Sequence, residues 1–165
     1  MPATASPSSH RPPSAPAAPV TCRAARGDDE LAAHLALRRR VFVDEQGIFD
    51  GDDADEHDRD PRTVHAIGFV DGELCGVVRL YPLRGGEWKG DRLAVAGDHR
   101  DAHVGAELVR FAVRTAGELG GARMIAHIQL PNVRFFESLG WLAEGPPAPF
   151  HGIDHQLMTI PLGGA

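Results

Sequence analysis

The chain has 165 residues, of which 42% are hydrophobic and 24% charged, with 2 cysteines and a formal net charge of −6. That length suits one domain, its apolar runs fall far short of the roughly 20 residues of a membrane-spanning helix, and two distant cysteines make neither a disulfide framework nor a CxxC-type zinc site. A membrane protein is therefore excluded, and a reducing cytoplasm is the expected compartment.

Residues 1–19 form the first segment in chain order. Six prolines, five alanines and four serines fall within the first 20 residues, and such a composition cannot bury enough apolar surface to offset the entropy of ordering. A disordered tail is expected, without the continuous apolar core of a secretory signal. The folded domain is expected over 20–165. Asp28, Asp29 and Glu30 ahead of Leu31, Leu35 and Leu37, with Arg38, Arg39 and Arg40 behind, predict a helix whose charges match its dipole.

Residues 44–60 hold nine acids against one base, for −8, which leaves +2 for the rest of the chain. A segment of this kind repels phosphate and argues against a nucleic-acid partner. Its Gly51 and Pro61 predict a loop with at most a short helix. Asp50, Asp52 and Ala54 lack the third ligand of a calcium loop, and no glycine falls at the sixth position. No metal is expected. The acids Asp53, Asp55 and Asp58 could instead draw in a cationic amine, or the run could be a solvated loop.

Val64 to Val70 and Leu74 to Tyr81 around Asp71-Gly72 predict a hairpin, because both turn residues tolerate positive φ. Arg92 to Val95 predicts a short strand. His103 to Leu119 predicts a helix with Val104, Leu108, Phe111, Thr115 and Leu119 on one face, ended by Gly120-Gly121. A strand over Met124 to Gln129, a helix from Pro131 through Leu139 and a last strand over His155 to Leu162 follow. The pattern is that of a mixed α/β domain.

The strand at 92–95 and the helix from 103 hold the most chemistry. A strand turning into a helix leaves backbone N–H groups unpaired at the positive end of a dipole, where a pyrophosphate binds well. Gly105 and Ala106 would let the backbone approach such a ligand, and Arg100 adds a cation. Close packing of a strand against a helix explains the same small residues, so two readings stand.

Arg100-Asp101-Ala102-His103-Val104-Gly105, followed by Ala106, resembles the pyrophosphate signature Gln/Arg-x-x-Gly-x-Gly/Ala of the GCN5-related N-acetyltransferase (GNAT) superfamily, with His103 in place of the first glycine. Asn132-x-x-Phe135-Phe136-x-x-x-Gly140-Trp141 is similar to the family's Asn-to-aromatic region in compressed form. Leu37-Arg38-x-x-Val41-Phe42-Val43-Asp44-Glu45-Gln46 and Gly152-Ile153-Asp154-His155-Gln156-Leu157-Met158 resemble bacterial ElaA-like acetyltransferases. With Ala126-His127-Ile128-Gln129 and the acidic loop, the likeness extends to acetyltransferases associated with nitrogen starvation.

The resemblance covers about residues 20–162 and implies an α/β (α+β) GNAT fold: a central mixed, mostly antiparallel twisted sheet of six to seven strands flanked by about four helices. It implies acetyl-CoA as co-substrate, held by Leu93, Ala94 and Val95, by the residues from Arg100 to Ala106, and by Asn132, Phe135 and Phe136. An N–H near Val95 would face the thioester oxygen. Phe136 stands where the family often has an acidic tyrosine, so no general acid carries over. Core packing is the alternative reading of Phe135 and Phe136.

Attack by an amine needs a base. Glu45 is the first candidate and His155 the second, with helix–loop bonding and strand bonding as their structural alternatives. The implied reaction is direct acetyl transfer in a ternary complex to a small amine. Homodimers are common in the superfamily. Two rivals remain. Val41-Phe42, Asp53-x-Asp55-x-x-Asp58 and Val78 to Pro82 are similar to acyl-homoserine-lactone synthases, although the chain after the hairpin follows the acetyltransferase pattern better. A CoA sensor or interaction module would account for His103 and Phe136.

Overall fold

Asp71 and Gly72 adopt φ of 52° and 80°, the pair of positive angles that the predicted two-residue turn requires. They join β2 (Val64–Val70) to β3 (Glu73–Pro82) in antiparallel register, Val70 opposite Glu73. The structure, a computed structural model, describes residues 18–100 and 103–163. The expected tail, apart from its last two residues, and Asp101 and Ala102 lie outside the described residues.

The strand β1 (Val20–Ala24) pairs with β2, and β3 pairs in turn with β4 (Glu87–Val95). Beyond them come β5 (Arg123–Gln129), β6 (Leu142–Ala143), β7 (Ala148–Phe150) and β8 (Ile153–Pro161). The sheet runs β1-β2-β3-β4-β5-β8-β6, with β7 also on β8. Among the described residues only β4 and β5 pair in parallel. The strand expected at 92–95 begins five residues earlier, and the short strands β6 and β7 were not foreseen, since two or three residues carry no periodicity.

The first predicted helix is α1 (Gly27–Arg38), and its chain continues through Arg39–Glu45 with widened i→i+5 bonding, Gln46 N–H donating to the Val41 carbonyl at 2.9 Å. Val41 and Phe42 in this π-turn are buried. α1 lies on the sheet face that carries His65, Arg79 and Asp91.

The opposite face takes α2 (Val104–Glu118) and α3 (Val133–Ser138). α2 buries Val104, Leu108, Val109, Ala112 and Ala116, and each large aliphatic chain so removed from water contributes about 1.5–3 kcal/mol. It sits close because β3 has a glycine beneath it. A Cβ on Gly76 would lie 2.5 Å from Val104 Cγ1 and 2.8 Å from Leu108 Cδ1. Leu119, expected on the buried face, is past the helix end and 58% exposed.

Candidate active site

A cleft opens in the middle of the sheet. The parallel pairing of β4 with β5 spans only Glu87–Lys89 against Arg123–Ile125. Past that point β5 stays with β8 along its whole length, whereas β4 stays with β3 through an extra residue near Arg92, whose φ is 55°. One backbone edge of Gly90–Val95 is left without a strand. The wedge holds a cavity of about 160 Å³ lined by apolar Leu93, Met124, Ala126, Ile128, Phe136 and Trp141, among others.

The start of α2 lies beside this wedge. Its first N–H groups have no intrahelical acceptor, and His103 ahead of it makes no side-chain cap. His103 holds φ at 63°, the left-handed region that a glycine enters freely and a β-carbon resists. His103 therefore holds a backbone angle that favours glycine at the position where the signature has one. At Gly105 a Cβ would meet Phe135 Cζ at 3.7 Å and Val95 Cγ2 at 3.8 Å, which is ordinary contact. Protein packing does not require Gly105 to be glycine, so the packing explanation fits Gly76 and not this position.

Arg100 is exposed, with Nε donating to the Val95 carbonyl at 3.1 Å and Nη2 to Glu45 at 2.7 Å. The cation expected at the pyrophosphate and the first candidate base are thus paired with each other. Glu45 does not line the cavity. His155 does, as do Leu93, Asn132 and Phe136. It is 8% exposed, and its Nδ1 lies 2.7 Å from the Ile153 carbonyl. A carbonyl only accepts, so Nδ1 carries a proton, which in the neutral ring leaves the lone pair on Nε2.

Asp53, Asp55 and Asp58 are gathered inside by arginines. Arg38 Nε donates to Asp53 at 2.8 Å and Nη1 to Asp58 at 2.7 Å. Arg79 Nη1 donates to Asp55 at 2.7 Å, and its Nε and Nη2 hold Asp91 at 2.8 Å each. Arg92 meets Asp53 at 3.0 Å. His65 Nε2 lies 2.9 Å from Asp58. Burial disfavours the Asp58 anion, but the bonds from His65 and Arg38 outweigh it and hold this carboxyl far below the usual range. Asp55 is lowered in the same way, chiefly by Arg79 against its burial. Asp53, Asp55 and Asp58 therefore belong to a neutralised internal network, while Asp44, Asp50, Asp52 and Glu56 of the same segment stay exposed. The segment carries Phe49, over whose ring Arg92 sits at 4.6 Å, to the cavity wall.

Sequence reasoning assigned no role to Lys89, Asp91, Arg92, His127, Phe150 or His151, which surround the end of the cleft near His155. His127 stacks on Phe150 at 4.2 Å, and His151 lies between Phe49 and Phe150 at 4.8 and 4.4 Å. Alternation along β5 put His127 and Gln129 on one face, with Gln129 opposite His155 on β8. That was the one signal available. Among the described residues no group of acids, histidines and cysteines is arranged to hold a metal ion, and no helix is long and apolar enough to cross a membrane.

The profile of the Acetyltransferase (GNAT) family matches residues 29–141, more than half of the chain. An N-acetyltransferase of Bacillus subtilis (strain 168), the uncharacterized YjcF, is 26% identical over 117 residues, covering 71% of this chain and 81% of that one. The crystal structure of Escherichia coli ElaA superposes with a TM-score of 0.74 at 22% identity, over 86% of this chain and 98% of that one. An aminoglycoside 6'-N-acetyltransferase complexed with coenzyme A superposes with a TM-score of 0.70 at 16% identity, over 86% and 97% of the two chains. At these identities the two structures speak for the fold.

Proposed function

Since the chain belongs to the acetyltransferase (GNAT) family, we propose that it uses acetyl-CoA to acetylate the amine of a small molecule by direct transfer in a ternary complex. The observation that carries this reading is the wedge between β4 and β5, apolar inside, with a free strand edge on one wall and the uncapped start of α2 beside it. A protein of the same fold is known in complex with coenzyme A.

Residues from Val104 to Ala106 would offer backbone N–H groups to the pyrophosphate, joined by Arg100 once it leaves Glu45. Leu93 to Val95, with Phe135, Phe136 and Asn132, would line the pantetheine arm. Acetyl-CoA supplies the activated thioester. A free N–H on the Leu93–Val95 edge is suited to receive the carbonyl oxygen as it gains charge. His155 is the better base than Glu45, because it lines the cavity and its Nε2 has a lone pair, whereas Glu45 is bound to Arg100 outside it. It would take the ammonium proton so that nitrogen can attack. Phe136 donates nothing, and the chain's one tyrosine, Tyr81, is buried with its hydroxyl on Asp91 at 3.3 Å. The thiolate would leave without an acid, which a thiol of pKa about 8.5 permits near neutral pH.

The test is amine-dependent release of CoA by the full chain, with His155→Gln alongside. A loss of about 10²–10⁴-fold in kcat, with acetyl-CoA affinity kept, supports the base. Tight acetyl-CoA binding without release for any amine would favour a CoA-binding module, the reading that Phe136 supports.

A further inference from the structure

The acceptor end of the cleft has hydrogen-bond donors and cations left over, and its carboxylates are spoken for. Four basic groups surround Phe150: the His127 ring at 4.2 Å, His151 at 4.4 Å, His155 at 5.4 Å and the Lys89 Nζ at 5.1 Å from the ring centre. His127, His151 and His155 line the cavity itself. Among the described residues Lys89 has no ion pair, since its neighbour Asp91 is held by Arg79 through both oxygens. His127 Nδ1 is buried without a partner.

The carboxylates of Asp91 and Asp55 are already satisfied. Asp91 accepts from Arg79 and Tyr81, and Asp55 from Arg79 and Arg92. Among the described residues Asp91 is the one carboxylate that lines the cavity, so a cationic amine would find no unpaired carboxylate on its wall. Resting on the acetyltransferase reading, we propose that the acceptor amine carries a carboxylate, received by Lys89 together with His127 and His151 at the β4, β5 and β8 end of the cleft. One lysine and imidazoles held near neutrality match a single negative charge better than a doubly charged phosphate.

The protonation of these groups agrees. Burial first, then Lys89 and His155, lowers His127 against the opposing pull of Asp91. Burial, Arg92, His155 and Lys89 lower His151 against Asp55. Burial lowers Lys89, with Arg92 and Arg79 adding to it and Asp91 and Asp55 opposing. A bound anion opposes each shift, so the carboxylate enters with uptake of protons.

The experiment uses the full chain. Acetyl-CoA is titrated first by calorimetry, and absence of binding would overturn the acetyltransferase reading itself. With binding established, α-amino acids, their α-carboxamides and aliphatic diamines are compared by kcat/KM and by binding to the CoA-loaded protein. The expected result is at least a tenfold preference for carboxylates, with proton uptake seen in buffers of different ionisation enthalpy. Lys89→Met keeps the chain length under Phe150 and is expected to bring the carboxylate-to-carboxamide ratio close to one, while Lys89→Arg retains it. Equal or better use of carboxamides or diamines overturns the inference, as does failure of every carboxylate to bind the CoA-loaded protein. A Lys89→Met variant that is folded by circular dichroism and keeps the wild-type ratio also overturns it.

Discussion

Replacing Gly105 separates the two roles a glycine can have at the start of α2. Its added Cβ would make only ordinary contacts, 3.7 Å to Phe135 and 3.8 Å to Val95, whereas the Cβ of Gly76→Ala would lie 2.5 Å from Val104 Cγ1. Gly105→Glu removes a flexible residue from a helical turn, worth up to about 1 kcal/mol. It also sets a carboxylate at the positive end of the dipole, worth about 0.3–1 kcal/mol more. The melting temperature is therefore expected to rise by about 1–8 °C, at roughly 2–4 °C per kcal/mol for a domain of this size. The same carboxylate faces the proposed pyrophosphate. Two like charges 4 Å apart repel by about 4 kcal/mol at an effective dielectric of 20. Screening at this open site reduces that, and a loss of at least about 30-fold in acetyl-CoA affinity is expected, about 2 kcal/mol. Calorimetric titration gives the affinity and thermal melts followed by circular dichroism give the stability. A variant that binds acetyl-CoA as the wild type does, or melts lower, would refute the reasoning. Gly76→Ala should do the reverse, losing about 1–3 kcal/mol through overpacking.

Arg79→Met, which strands Asp55, Asp58 and Asp91 around a fully buried position, should cost about 3–5 kcal/mol in urea unfolding. Arg123→Met, which loses exposed pairs to Glu87 and Glu144, should cost less than about 1 kcal/mol; similar losses for both would refute a structural role for the network. His34 is buried and, despite its bond to the Val78 carbonyl, is pushed down to about 3, by burial first and then by Arg38 and His65. Its contribution is complete above the unfolded value near 6.5 and is lost as pH falls from there toward 3. From pH 7 to pH 5 the loss is about 2 kcal/mol, and His34→Gln should flatten the stability–pH curve over that range. His103→Gly should relieve the left-handed strain and raise stability by about 1 kcal/mol in denaturant titration, and an unchanged or lower midpoint would count against strain at that residue.

The local elements were legible in the sequence where one signal governs. Asp71-Gly72 fixed a turn because few residues take two positive φ angles, and the Val104-to-Leu108 spacing marked α2 because its buried face repeats at the helical period. The strand, turn and helix from Arg92 to Ala106 also raised the expectation of a phosphate site, since unpaired N–H groups at a helix start follow from chain geometry alone. Long-range placement decided the rest. The charges of Asp53, Asp55 and Asp58 looked like a free acidic face in sequence, yet Arg38, Arg79 and Arg92 come from 15 to 39 residues away to neutralise them. Glu45 and Arg100, each a candidate for a different task, lie 55 residues apart and meet. The basic cluster around Phe150 joins Lys89 on β4, His127 on β5 and His151 and His155 beside β8. No window of sequence contains it, because the order of strands in a sheet is set by burial and pairing across the whole domain.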